Sequence, residues 1–470
     1  MTNLYDYIII GGGPSGLILS YYLSKKNYKV LLLESSLALG GCHRVLYNDN
    51  GLHTEHSPRI YVSSFYHFFD FLDKELNIKI EDSFVPYIFQ FFNKQLIKFF
   101  ANMDILDMSK LYLIYLKSHV IKIKFSLKYT VKDFVQEYNF GEKSIKILNN
   151  FCNLIDGGDI DKTLLVTFLD SIDKLSIYKI LQPNEPMNKL IFSKFEKKLL
   201  EQKTDIILGQ EVISIKKNGQ GYQVFTKKND YLTNKLILAI PPFAINKINN
   251  AVNLLGYDQE NFTKWCNYSL YKDYISFSFE FDTQIESTKN VHGGISEHVW
   301  AEYFIDMSYY FKNQKGSLII LTISNLDNID PILNKTANQL DRQELINRVK
   351  DILKQRLKIN IEPIKYDMSP NIKKINGRWI EHDRSFLLTD QGILRPRIIP
   401  QNIYTVGHHN GYSHHKYNTI ESAFINSLIF LNSVEDFKFK LLIPTPLSNI
   451  ILILILIILY IHMMLMNNID

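Results

Sequence analysis

The stretch Asp6 to Ile10, DYIII, runs directly into GGGPSGLILSYYLSKKNYKVLLLESS, and that order of residues admits few folds. A short β-rich run, a glycine turn, a helical stretch and a second apolar run from Val30 to Leu33 follow one another within the first 34 residues. Gly11, Gly13 and Gly16 have the G-x-G-x-x-G spacing. The first glycine permits a tight turn, the second lets backbone approach a pyrophosphate, and the third allows the helix to pack closely on the strand. Pro14 and Ser15 open the helix, whose free N-terminal amides favour phosphate. Glu34, followed by Ser35, ends the second strand. A carboxylate there accepts hydrogen bonds from ribose hydroxyls and disfavours the 2′-phosphate of NADP. A glycine turn alone is a weak signal, whereas the complete order predicts dinucleotide binding by Gly11, Gly13, Pro14, Ser15, Gly16, Glu34 and Ser35.

A chain of 470 residues exceeds one simple core, and the prior of roughly 150 residues per domain predicts two or three units. The net charge of +5 is small for this length, and Lys is interleaved with Asp, Glu and Asn, which argues against a nucleic-acid surface. Cys42, Cys152 and Cys266 are too few for a disulfide framework and fit no zinc spacing, so a reducing compartment is expected. No secretory signal opens the chain. Near the other end, Lys438 and Lys440 precede LSNIILILILIILYIHMMLM, from Leu447 to Met466. About 20 apolar residues suffice to span a bilayer, so this run predicts a transmembrane tail anchor with the globular part facing the cytoplasm. The alternative is a buried C-terminal helix or strand, since Ile-rich runs have high β propensity and His462 lies inside the run.

Beyond Glu34, the sequence SSLALGGCHRVLYNDNGLHTEHSPRIY resembles the acid, spacer, Gly-Gly continuation of the flavin amine oxidase and protoporphyrinogen oxidase superfamily. The resemblance implies FAD, with Gly40 and Gly41 bringing backbone against the pyrophosphate and flavin. EHSPR is similar to the family's E-x-G-P-R loop: Glu55, Pro58 and Arg59 match and Ser57 replaces glycine. Cys42 stands where many relatives carry a phosphate-contacting Arg, and Arg44 is the candidate substitute. A second block resembles the family's helix, strand and β-meander: a helix from about Met187 to Glu201, a strand from Val212 to Ile215, one near Tyr222 to Thr226, and KLILAIPP to Pro242. There the family implies an adenine contact from the Val212 backbone. The third block, QNIYTVGHHNGYSHHKYNTIESAFINSLIFL, resembles the flavin motif, with Gly407 as the turn and Thr419 as the cap of a helix running to about Leu431. Ile420 and Glu421 would supply amides to the negative charge of a reduced flavin. His408 replaces the usual acid and Ser422 the usual glycine.

The expected fold is α/β: a discontinuous Rossmann-type FAD-binding domain, an α+β substrate domain and a C-terminal transmembrane helix. The FAD-binding parts are 1–64, 185–255 and 379–435, the substrate parts a helical 65–184 and a sheet-forming 256–378, and the anchor 447–466. YISFSFEFD, HVWAEYFIDM and GSLIILTIS predict the strands of that sheet. Trp379, Tyr404 and Tyr412 are candidates for the aromatic pair that flanks substrate in many relatives, and His408 for a proton carrier near the ring. The loop histidines His408, His409, His414 and His415 lack the partners and register of a metal site, so none is assigned. No Cys follows Cys266, which excludes the covalent flavin link of monoamine oxidases. The implied activity is hydride transfer from a C–N or C–C bond of a small substrate to flavin N5, with O2 or another acceptor. Two alternatives stay open: a non-redox flavoenzyme similar to UDP-galactopyranose mutase, which Arg395 and Arg397 keep in play, and a degenerate, membrane-tethered flavoprotein.

Overall fold

The computed structural model describes residues 4–87, 102–126, 128–156, 158–175, 177–291, 298–381, 386–387, 402–414 and 418–466. Strand β1 (Leu4–Ile10), helix α1 (Pro14–Lys25) and strand β2 (Val30–Leu33) form the opening unit. The main sheet runs in the order Asp205–Ile207, β2, β1, Asp230–Leu238, Gly221–Thr226, Val212–Asn218, and Ile403–Thr405 also pairs with Asp230–Leu238. Its first four strands and Ile403–Thr405 are parallel, and the last two form an antiparallel meander. β2 is buried along its whole length, as a near-continuous apolar strand with both faces covered must be. In β1 the faces alternate: Tyr7 and Ile9 join the larger core with α1, while Ile8 and Ile10 join the core beneath helices 242–268.

The strand Asp230–Leu238 has two partners in succession on one edge. Tyr231, Leu232 and Thr233 pair with the meander, and Leu236, Ile237 and Leu238 with Ile403, Tyr404 and Thr405. Residues far apart in the chain thereby bring all the parallel strand ends to one edge of the sheet, the edge at which open α/β sheets hold ligands.

A second sheet, in the order Tyr303–Asp306, Leu318–Ile323, Ile275–Glu280, Lys365–Met368, is antiparallel throughout. Its first three strands are those read from the sequence. Helix Arg342–Leu357 covers it, started by a reciprocal Asp341–Glu344 capping box and stopped by Lys358 in the left-handed conformation. The helical insertion includes α2 (Tyr66–Lys74) and Val131–Glu137, the latter begun by a reciprocal Thr130–Asp133 capping box, and packs into the same core as α1.

The C-terminal expectation requires correction. Leu447–Met466 is a helix of 20 residues, yet among the described residues no helix is long and apolar enough to cross a membrane. A span takes about 20 residues, and this helix spends its first turn on the protein. Ser448 is buried, its N–H bonds Asp173 Oδ1 at 2.7 Å, its hydroxyl lies 3.2 Å from Asp173 Oδ2, and Leu447 and Ile451 pack on the main core. The fold is Rossmann-like α/β with a second, antiparallel sheet, and no transmembrane helix is supported among the described residues.

Candidate functional site

The glycine turn occupies the ligand-holding edge. Gly11 has φ +110°, and a Cβ on Gly16 would lie 1.8 Å from the Gly11 carbonyl oxygen, so the helix is seated directly on the turn. Gly13 differs: a Cβ there would meet only Gly41 Cα, at 3.8 Å. Gly13 caps α1 without any side-chain hydrogen bond, and Leu17 N–H to Gly13 O begins the helical ladder, leaving the Ser15 and Gly16 amides ahead of it. Glu34 is buried and works locally as well: Oε2 accepts from Gly12 N–H at 2.6 Å, while Oε1 accepts from Ser36 N–H at 2.7 Å and Ser35 Oγ at 3.1 Å. A carboxylate offers about four lone-pair sites, so capacity remains for ribose hydroxyls. Gln210 N–H bonds the Glu34 carbonyl, which sets Val212, two residues on, beside this end of the turn.

Gly40 N–H bonds Gly12 O at 2.9 Å and closes the second glycine loop over the first. Arg59 donates to Cys42 O at 2.6 Å and lies 3.2 Å from His56 Nδ1, and Gln182 donates to Arg59 O. Gly41, Cys42, Arg44, His56, Ser369 and Glu381 line a small recess between this loop and the second domain. The structure therefore gathers Gly41, Arg44 and Arg59. Burial, then the neighbouring Arg59 and His56 charges, hold His43 well below the usual imidazole range.

At the third block, Thr419 accepts from Ser422 N–H at 3.0 Å and Ser422 Oγ accepts from Thr419 N–H at 3.1 Å, a reciprocal cap that starts helix Ile420–Val434. This helix lies alongside α1. Ser15 Oγ is 3.4 Å from Ala423 O and Ser427 Oγ 3.4 Å from Ser15 O near the two starts, and Lys26 Nζ reaches Glu435 O at 2.6 Å where both end. The helices are thus parallel, with both N-termini at the same sheet edge. Gly407 is extended; a Cβ there would lie 2.4 Å from the His409 ring, so the turn is shaped around that imidazole. Burial lowers His409 to about 3, and its Nε2 and Asn410 Oδ1 are buried with no hydrogen-bond partner among the described residues.

The aromatic candidates go elsewhere. Trp379 is buried in the core of the second sheet, its backbone N–H bonded to Asn338 Oδ1 at 2.9 Å. Tyr404 packs edge-on against Phe430 at 5.1 Å in the main core, and burial, then Glu435, raises its phenol. The two rings occupy different cores. Tyr412 N–H is held by Asn426 Oδ1 at 3.0 Å, while His408, half-buried, directly follows the turn at the sheet edge. Arg395, Arg397 and His415 lie outside the described residues.

Sequence reasoning missed Lys272. Its Nζ donates to Asn325 Oδ1 at 2.8 Å, and burial, opposed by Asp159, lowers it to about 8. The adjoining Tyr271 ring packs on Phe243 at 4.9 Å, immediately after Pro241 and Pro242 end the strand Asp230–Leu238. Lys272 therefore follows a ring that packs just beyond the end of that strand. One lysine ahead of an apolar strand carries no signal of that burial.

Residues 9–74 match the family described as NAD(P)-binding Rossmann-like domain. Over 47 residues the chain is 49% identical to ferredoxin–NADP reductase of Levilactobacillus brevis, covering 10% of this chain and 14% of the relative. Over 53 residues it is 43% identical to that of Lactiplantibacillus plantarum, covering 11% and 16%. The matches thus span less than a fifth of these relatives. Whole-chain similarity is to solved structures. A wild-type putrescine oxidase bound to putrescine aligns at 15% identity with TM-score 0.63, covering 93% of this chain and 100% of that one. A protein assigned as protoporphyrinogen oxidase from Exiguobacterium sp. 255-15 aligns at 14% with TM-score 0.63, covering 91% and 98%. At such identities the similarity is one of fold.

Proposed function

We propose that this chain, which has the fold of the flavin amine oxidase and protoporphyrinogen oxidase superfamily, binds FAD and is an oxidoreductase acting on a C–N or C–C bond of a small molecule. The observation that carries the reading is the pair of parallel helix starts at one sheet edge. Each helix N-terminus carries roughly half a positive charge, so two set side by side repel unless an anion lies across them. FAD fits that demand with a pyrophosphate at one end and, once reduced, a negatively charged ring at the other.

The residues present suit the group. The Ser15 and Gly16 amides would hold the pyrophosphate, Gly13 would leave room for it while Gly41 packs closely on Gly13, and Glu34 would turn its remaining lone pairs to the adenosine ribose. Arg59 fixes the Cys42 carbonyl and with it the loop that carries Gly41 and Arg44. The Ile420 and Glu421 amides would face the ring, and the buried His409 Nε2 and Asn410 Oδ1 have no hydrogen-bond partner among the described residues at the turn before them. When bound, FAD supplies a hydride acceptor at N5, and O2 or another acceptor restores it. Lys272, lowered to about 8, is suited to hold or release a proton near neutral pH, and His408 is a second candidate for that task.

The test is direct. The purified chain should be yellow, or become so with FAD, and the colour should bleach anaerobically with one member of a panel of amines, polyamines and tetrapyrroles. A protein that stays colourless after FAD addition would sink the reading.

A further inference from the structure

Three helices begin close together beside the sheet edge: α1, Ile420–Val434, and α2, whose Phe71 and Phe68 rings pack on Phe424 of the second helix at 5.6 and 5.5 Å. The α2 start has no cap of its own, because Phe65 occupies the capping position. Glu421, in the first turn of Ile420–Val434, fills the role from across the interface. Its Oε1 accepts from His67 N–H at 3.0 Å and from His67 Nδ1 at 2.6 Å, and its Oε2 accepts from Phe68 N–H at 2.9 Å. Every partner is a donor, so both oxygens act as carboxylate acceptors. Leu442 N–H bonds His67 Nε2 at 3.0 Å, which places the proton of a neutral imidazole on Nδ1, facing Glu421. Glu421 is 1% exposed. A negative charge is thus fixed inside the protein, within the first turn of the same helix whose first amides would face the cofactor ring in the reading above.

We infer that Glu421 is a positioning residue that sets the reduction potential of the bound flavin, an inference that rests on the site being an FAD site. The α2 terminus and His67 offer the carboxylate donors only. The carboxylate in turn offsets the positive start of its own helix. Of the three helix starts, α1 keeps its full positive end for the cofactor, whereas the α2 start is capped by Glu421 and the Ile420 start is partly offset by it. The reduced ring, which carries negative charge, is therefore held back relative to a helix start with no buried acid, and reoxidation is favoured.

The experiment measures the midpoint potential of the FAD-loaded protein by dye equilibration for wild type, Glu421→Gln and His67→Leu, with melting temperatures alongside. E421Q removes the charge and should raise the potential by a tenfold or greater shift in the two-electron equilibrium, about 30 mV. H67L leaves the charge with one donor fewer and should lower it. A cap with a structural role alone would depress the melting temperature in both variants and move the potential in neither, which overturns the inference. If E421Q does not fold, H67L decides: an unshifted potential overturns it. A wild-type chain that takes up no FAD overturns the reading of the site and the inference together, whereas bound FAD with unmoved potentials overturns the inference alone.

Discussion

Gly13 and Gly16 stand three residues apart in one turn, and their replacement by alanine should separate folding from cofactor binding. In Gly16→Ala the new methyl would sit 1.8 Å from the Gly11 carbonyl oxygen. Carbon–oxygen contacts seldom fall below about 3.3 Å, so α1 would have to withdraw from β1 by roughly 1.5 Å. The obstacle is backbone and cannot rotate aside, which puts the cost at the upper end of overpacking, about 3 kcal/mol, or about a hundredfold in the folded-to-unfolded ratio. Gly13 has φ −75°, acceptable for alanine, and its nearest neighbour would be at an ordinary 3.8 Å. Ala at a helix N-cap costs about 1 kcal/mol at most relative to Gly. G13A should therefore unfold close to wild type and, on the proposed reading, bind FAD more weakly, because the added methyl takes up space in the turn that the pyrophosphate would approach. Urea unfolding followed by circular dichroism, with visible absorbance read on the same samples, measures both quantities. G13A retaining FAD as tightly as wild type would refute the placement of the pyrophosphate, and G16A unfolding at the wild-type urea concentration would refute the seating of the helix.

Other outcomes follow from buried charge. Burial alone would raise Glu435, but Lys235 at 2.5 Å, Tyr28 at 2.6 Å and Tyr7 hold it below the ordinary carboxylate range. The stability this gives is present above about pH 4 and disappears as pH falls through the lowered value; Glu435→Gln should lower the urea midpoint at neutral pH and flatten its acid dependence. His409 is neutral when folded and protonates on unfolding, so it destabilises progressively from about pH 6.5 down towards about 3. His409→Asn should remove that part of the slope, seen as melting temperature against pH. Lys272, held at about 8, sits in an environment hostile to its charge. Lys272→Met should raise the melting temperature near neutral pH and slow flavin bleaching by an active substrate, a trade of function for stability; unchanged bleaching would remove Lys272 from the site.

What the sequence disclosed was local. The glycine turn, Glu34 and the Thr419 cap depend on neighbours within a few positions, and each sits in the structure at the residue expected. The helix expected from about Met187 to Glu201 runs from Asn188 to Glu201 with a widened first turn, and the strand expected near Tyr222 begins at Gly221. What stayed hidden depended on distant partners. The Glu421 carboxylate finds its donors at His67 and Phe68, and Glu435 finds Tyr7 and Tyr28, contacts that no periodicity announces. Trp379 was a candidate through nearness in sequence to the third block, but Arg378–Glu381 pairs with Ile372–Ile375 and carries the ring into the other domain's core. The tail misled for the same reason: local hydrophobicity favours a span, and Asp173 claims its first turn.

The order of strands in the main sheet also imposes a schedule. Leu4 pairs with Leu232, so a ribosome makes β1 long before its lasting neighbour on that side exists, and that neighbour in turn waits for Ile403. During that interval an apolar strand with an open edge must be shielded, the situation in which nascent chains aggregate or recruit chaperones. The helix start at Ile420 emerges later still. On the proposed reading, cofactor loading thus belongs at the close of synthesis, and a product truncated before Thr419 would carry the glycine turn yet lack the second helix start.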